Sequence, residues 1–388
     1  MRRGGKGQRR KATRLVIGTT HRPASAAEVA KAVGGAERIV PRGGGTKPAL
    51  CAAEGADLLD LSALSGITEY LPSEYTVTAL AGTPLADVEA RLAAEGQYLP
   101  FDPLLVDAGS TVGGAVAAGA NGPGRLRYGG LRDFLLAVAF VDGRGEIVRG
   151  GAKVVKNAAG FDLPKLMVGS LGRLGVLTEC TFKVFPHPET CATVRVAGMA
   201  FDEALAAAGR VGAGAVELEC LDLVHDLAGW DLEIRVGGRS YALDARLKRA
   251  SDVLDSDVST RRGDADTQHW RARRELHWAP SDASVLKLPV TPATAGVLEQ
   301  VLADLDAAHI ARIYGAGIQQ AFLAWPAERG SDLPALDRAL TESKLTALAL
   351  RAPAEAVAKP ILGYRSGGEL LRRVEQALDP AGRFGRLR

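Results

Sequence analysis

The sequence predicts an α+β protein of two main domains. Three observations carry that expectation. Short alternating apolar runs and helical periodicities interleave along the chain after a basic stretch at 1–14. Glycine-rich turns leave or enter these elements at 43–45, 109–114 and 169–175. Pro186 and Pro188 then interrupt the pattern before a second alternating series begins.

The elements follow in order. Pro23 to Val33 reads as a helix, with Ser25 as N-cap and Glu28 three residues on. Strands are expected at 38–40, 58–61, 66–71 and 75–81, and Thr83-Pro84 should open a helix reaching about Ala94. Thr111 to Ala118 is a helix of small residues. The runs 134–141 and 146–149 flank Asp142-Gly143-Arg144-Gly145, a hairpin signal. Phe161 to Val168 is helical and Leu174 to Val184 a strand. Beyond the prolines, strands are expected at 216–223, 232–236, 285–290, 311–314 and 321–325. Helices are expected at 241–252, 294–307, 334–341 and 368–378, with a charged stretch from about 253 to 276 left without an element. The expected domains are a basic tail 1–14, a first domain 15–186, a second 187–366, and a helix and tail 367–388 returning to the first.

Composition excludes several classes. Seven of the basic residues lie in 1–14 with no acid beside them, and the net charge of +3 becomes −4 once they are set aside. A mildly acidic body argues against nucleic acid as partner, and the tail reads as a solvated arm, with anionic lipid or a partner contact as the alternative. No apolar region follows the tail, so it is not a secretory signal. The longest apolar run, Phe134 to Val141, is far short of the ~20 residues of a membrane helix. Cys51, Cys180, Cys191 and Cys220 form no CxxC, and the six histidines form no HxH or HExxH pair, so no metal site is expected. A reduced, cytoplasmic compartment fits this cysteine usage.

The three glycine loops carry the chemistry. Arg42-Gly43-Gly44-Gly45-Thr46-Lys47 follows a strand, and consecutive bare N–H groups form a nest for a pyrophosphate, with Arg42 or Lys47 adding charge. Its plain reading is a β-turn. Gly109-Ser110-Thr111-Val112-Gly113-Gly114 enters a helix whose free N–H groups attract anions; a tight helix crossing is the alternative. Asn121-Gly122 is a turn. Gly169, Ser170, Gly172, Leu174, Gly175 and Val176 form the third loop. None has Walker A or GxGxxG spacing, so together they favour a dinucleotide site of another kind. His269-Trp270 and His277-Trp278 bracket Arg273 and Arg274, a set that could face a pocket from a helix or form an ordinary amphipathic face.

At these residues the sequence resembles the flavin superfamily of vanillyl-alcohol oxidase and p-cresol methylhydroxylase (PCMH). More narrowly, it resembles the FAD-binding E-subunit family of bacterial glycolate oxidase. RGGGTK at 42–47, STVGGAVAAG at 110–119, YGGLRDF at 128–134 and KNAAGFDLPKLMVGSLGRLGVLTE at 156–179 carry the likeness. HWRARREL at 269–276, LKLPV at 286–290 and LDPAGRFGRLR at 378–388 extend it weakly. The resemblance implies a PCMH-type FAD-binding domain of two α+β subdomains, followed by an α+β cap domain. It implies that 43–47 and 109–114 hold the FAD pyrophosphate and that 169–176 line the ring and ribitol. It further implies a 2-hydroxy-acid dehydrogenase subunit with an iron–sulfur subunit and a second flavin subunit as partners, and membrane association only through that complex.

Three departures qualify it. Thr46 stands where some relatives carry a flavin-tethering histidine, so FAD should be non-covalent. The GHxGDGNxH cap motif of related dehydrogenases is missing. If the cap touches substrate, Arg274, matching the W-x-x-x-R pattern of the E-subunit family with Trp270, is the candidate for its carboxylate, and His269 or His277 for the proton; a solvated basic face or a partner contact is the alternative. The ending departs from the usual LNPGR. A catalytically silent FAD-binding relay subunit and a stand-alone flavin alcohol oxidase are the alternative functions.

Overall fold

The computed structural model describes residues 18–51, 55–152, 161–226, 229–254, 256–352 and 359–385. The expected tail 1–14, the start of the third glycine block at 156–160, and 386–388 lie outside the described residues.

Parallel pairing opens the chain. Strand Asp57–Asp60 runs between Thr20–His21 and Ile39–Arg42. Helix Ala26–Gly35 connects the outer two, and Ser25 Oγ accepts from Glu28 N as its N-cap. Its Val29 and Val33 bury against Ile39, Leu59 and Leu61. The next sheet is antiparallel in the order Ile67–Leu71, Thr76–Leu80, Val176–Lys183, Leu135–Val141, Ile147–Gly151. Its hairpin forms at Asp142, whose Oδ1 accepts from both Arg144 N and Glu146 N. Helices Leu85–Ala93 and Val112–Ala118 bury Leu85, Val88, Leu92, Val112 and Val116 against this sheet.

Nine antiparallel strands form the largest sheet, in the order 259–262, 190–199, 229–238, 218–226, 312–315, 320–325, 284–289, 346–351, 361–363. Helices Phe201–Ala213, Leu243–Asp252, Pro292–Asp304 and Leu333–Glu342 pack on one face, taking Leu286 and Leu288 into their core. The alternate residues turn the other way. Val285, Phe322, Ala324 and Leu350 bury against Leu104, Leu105, Ala118 and Ala120 of the first half of the chain. One face of the second unit thus docks on the first.

Helix Gly368–Leu378 packs Leu371, Val374 and Leu378 on the five-stranded sheet. Beyond it Phe384 buries in the first core, and Ile39 N donates to Arg383 O at 2.8 Å.

Several element expectations are corrected. Thr83 caps no helix: its hydroxyl exchanges hydrogen bonds with Gly66 N and O at 2.9 and 3.1 Å. The helix begins at Leu85, whose N–H finds the Ser110 carbonyl instead. The charged stretch holds strand Ser259–Arg262 and helix Gly263–Arg274. That helix buries Asp266, Trp270 and Arg273, so its inward face lacks the apolar periodicity by which helices are recognised. Asp266 accepts from Arg235 Nε at 2.9 Å, and Trp270 Nε1 donates to Thr193 Oγ1 at 2.8 Å. Strands Thr346–Arg351 and Ile361–Gly363 lie where the sequence pattern announces none. The first is built of Ala and Leu, strong helix formers held in a strand by their neighbours.

One carboxyl in the second unit is unusual. Asp222 is fully buried on strand Leu218–Asp226; Oδ1 accepts from Ala316 N at 3.1 Å, while Oδ2 has no partner among the described residues. Burial pushes its pKa from 3.8 up to about 7, against the pull of Arg273. A carboxyl raised in the fold holds its proton there and not in the unfolded chain. Its contribution is present below about pH 4 and lost as pH rises through 7. Between pH 4 and 8 the wild type should therefore lose about 2–4 kcal/mol relative to Asp222→Asn, measured by denaturant unfolding at both pH values.

Candidate active site

The first two glycine loops meet backbone to backbone. A Cβ on Gly44 would lie 1.8 Å from the Gly109 carbonyl oxygen, and one on Gly43 would lie 2.2 Å from Thr111 Oγ1. Neither position admits a side chain. Thr111 N-caps helix Val112–Ala118 by accepting from Gly114 N, and a Cβ on Gly113 would lie 2.7 Å from Ala81 Cβ. The third loop closes the far wall: Gly172 has φ +73°, and its Cβ would meet Pro41 Cγ at 2.8 Å.

These loops enclose a cleft of about 680 Å³, including space open to solvent. Its lining brings together Gly43, Gly44, Gly45, Thr46, Lys47, Ser110, Thr111, Gly113, Gly114, Gly172 and Gly175. Lys47 is 6% exposed. Its Nζ donates to Ser110 Oγ and Thr46 Oγ1, both at 3.2 Å, and no carboxylate lies within ion-pair reach among the described residues. Burial holds the ammonium down to about 8. A buried cation with only hydroxyl partners, beside bare backbone at a helix N-terminus, fits a pyrophosphate.

Other expected cofactor residues stand outside the lining. Arg42 donates to Asp60 at 3.0 Å, and Gly109 backs Gly44 from beneath. Val112, Leu174 and Val176 are core. Gly169 N donates to Val116 O, while Ser170 Oγ is buried without a partner among the described residues. Asn121 Oδ1 accepts from Leu131 N at 2.8 Å and Gly122 N donates to Asp102 O, so this turn is structural. The sequence reading included Leu171 within 169–176 but missed Pro41, Leu50, Cys51, Leu61, Ala117, Ala118 and Leu177 in the lining. Only the small residues of 112–118 carried a signal for any of them.

Arg274 and His277 require a larger correction. The structure does not bring them to this cleft. Arg274 lines a second, solvent-open cleft of about 1470 Å³ between helices Leu85–Ala93 and Gly263–Arg274. Its guanidinium forks onto Glu89 at 2.9 and 3.0 Å, with Asp102 at 3.6 Å. Held this way it ties the two units together and has no fork left for a substrate carboxylate. The neighbouring Glu275 acts alike, accepting from Asp107 N and Ala108 N at 3.0 and 3.2 Å. His277 follows the helix and is exposed. No group of three or more potential metal ligands occurs among the described residues.

The family described as FAD binding domain matches residues 19–151. Glycolate oxidase subunit GlcE of Escherichia coli (strain K12) is 32% identical over 280 residues, spanning 68% of this chain and 74% of GlcE. The chain belongs to the GlcE family of FAD-binding proteins. Glycolate oxidase subunit GlcD of Bacillus subtilis (strain 168) is 36% identical over 158 residues, 40% of this chain and 33% of GlcD. A solved structure of alkyldihydroxyacetonephosphate synthase covers 95% of the chain, and the chain covers 77% of it, at TM-score 0.69 and 15% identity, a likeness of fold. The architecture is a PCMH-type FAD domain bearing an α+β cap, and FAD is the cofactor.

In this GlcE-family flavoprotein the state of Lys47 should set cofactor affinity. Only the ammonium form attracts the pyrophosphate, so FAD affinity of the apoprotein falls as pH rises above about 8, by up to about tenfold per pH unit. Lys47→Met should weaken FAD by roughly 10–100-fold and flatten this pH dependence. Fluorescence titration of FAD into apoprotein across pH 7–10 checks both.

Proposed function

We propose that the chain is an FAD-dependent oxidoreductase acting on the CH–OH group of a small 2-hydroxy acid, working as a subunit of a glycolate-oxidase-type complex. The observation that carries it is Lys47: a buried ammonium with hydroxyl partners, set into a bare-backbone cleft whose far helix ends beneath the cap. Gly43 to Lys47 and Ser110 to Gly114 would hold the pyrophosphate. Gly172 and Gly175 would let the rest of the cofactor approach the third loop. Bound FAD supplies a two-electron acceptor for the hydride of the alcohol carbon. The chain's own residues bind and orient, and the apolar cap seam around Ala118, Val285 and Phe322 keeps water out. The cap residues Arg274 and His277 take no part, since one is bound to Glu89 and the other is exposed.

The names of GlcE and GlcD, both subunits, support a multi-subunit setting. Electrons would leave to a partner, with an iron–sulfur subunit and a second flavin subunit as the proposed companions. No helix among the described residues is long and apolar enough to cross a membrane. The cytoplasm remains the proposed compartment, and the domain division at 186 and 366 is proposed with it.

Thr46 bears on how the cofactor is held. Its hydroxyl accepts from Lys47 Nζ and offers no imidazole for a flavin bond. Acid precipitation of the yellow protein should leave all colour in the supernatant; colour in the pellet would show a covalent link. Glycolate and D-lactate with a dye acceptor then test the reaction in the reconstituted complex. Absence of dye reduction there overturns the proposed activity. Turnover by the isolated chain would exclude a purely relaying role.

A further inference from the structure

The cap sheet meets the FAD domain through an apolar face with two polar exceptions. Val285, Phe322 and Ala324 bury in the seam. Lys287 lies opposite Phe322 in the antiparallel register, and Gln320 lies two residues before Phe322 on the same strand. Both therefore share the domain-facing side. Lys287 Nζ donates to the Gly119 carbonyl at 2.9 Å. Gly119 is the C-cap of helix Val112–Ala118, whose Ala117 and Ala118 line the FAD cleft. Lys287 thus reaches the edge of the cofactor site from the cap.

A second cation stands across the seam. Arg125 is half-buried, and its Nε is enclosed without a partner among the described residues. The acid that acts on it, Asp133, is beyond ion-pair distance and accepts from Gly130 N at 2.8 Å. Arg125 and Lys287 repel one another, and that repulsion adds to burial in holding Lys287 down to about 8. Elsewhere at the seam the cations are paired: Arg274 with Glu89, Arg271 with Asp107. Arg125 N donates to the Gly122 carbonyl that Gln320 also reaches, so both cations flank the 119–125 turn with no carboxylate in ion-pair reach among the described residues, a setting that matches a bound anion. Gln320 Nε2 reaches the Asn121 and Gly122 carbonyls at 3.4 and 3.5 Å, and its Oε1 has no partner among the described residues.

We propose that Lys287 and Arg125 form the carboxylate subsite for the 2-hydroxy acid, with Gln320 Oε1 accepting from the substrate hydroxyl. The proposal rests on the functional reading above and assigns substrate positioning to the seam in place of Arg274. An ammonium and a guanidinium each hold a carboxylate oxygen through a charge-assisted hydrogen bond. An orphaned amide oxygen suits an O–H donor and leaves an acid without the hydroxyl less well held.

The test uses the full-length, FAD-loaded chain and oxalate, a non-reacting anion of the size of glycolate. Oxalate should perturb the flavin absorbance saturably. Lys287→Gln and Arg125→Gln should each raise its Kd by about tenfold or more, with FAD content and sulfite affinity unchanged. Arg125→Gln alters a side chain with no hydrogen bond to lose among the described residues, so it carries the test if Lys287→Gln does not fold. Unchanged oxalate affinity in a folded variant overturns the proposal. Weakened sulfite binding with unchanged oxalate binding would assign the cations to the flavin and equally overturn it. A chain that takes up no FAD contradicts the functional reading separately. Calorimetric titration of oxalate then decides the subsite by itself: binding weakened by either substitution supports it, and absent or unaltered binding overturns it.

Discussion

The close approach of Gly44 to the Gly109 carbonyl governs the arrangement around it. A Cβ on Gly44 would stand 1.8 Å from that oxygen, so no other residue permits the contact. It places Ser110 where its hydroxyl meets Lys47 and its carbonyl receives the Leu85 N–H. Thr111 then caps the helix that ends at Gly119, and Gly119 receives Lys287 from the cap. The cap fixes the same loop from its other end, through Glu275 on the N–H groups of Asp107 and Ala108. Cofactor cleft and cap seam are therefore two sides of one loop-and-helix unit, 105–119.

Two kinds of cation divide the labour. Arg271, Arg273 and Arg274 leave one helix, and each ends on a carboxylate, Asp107, Glu233 and Glu89. With its charge neutralised by a fork, such a side chain is glue. Lys47, Lys287 and Arg125 meet hydroxyls, a carbonyl or nothing described. No carboxylate lies within ion-pair reach of these three among the described residues, which is the setting the proposed anion sites need.

The sequence was legible where backbone chemistry is local. Ser25, Thr111 and the Asp142 hairpin announce themselves because each satisfies its hydrogen bonds within a few residues. The glycine loops marked the cleft proposed for the cofactor, yet they could not say which glycines line it and which, like Gly109, only make room for another loop. Long-range pairing was illegible. Nothing near Arg274 in sequence reveals Glu89, and nothing near Trp270 reveals Thr193. The start of helix Gly263–Arg274 was hidden for the same reason, since its buried face is polar and its partners are distant strands; only the part from His269 on was read as helical. Leu50 and Cys51 enter the cleft wall through the turn after Lys47, which no periodicity marks.

The return of residues 379–384 has a consequence for biogenesis. Ile39 begins the strand that delivers the first glycine loop, and its N–H is satisfied by Arg383, while Phe384 completes the core beneath it. Gly143 accommodates Asp379 with no room for a side chain between them. An emerging nascent chain has all three glycine loops outside the ribosome long before these contacts exist. The sheet that supports Gly43 to Lys47 is therefore complete only once residues 379–384 have been made and have folded back onto it.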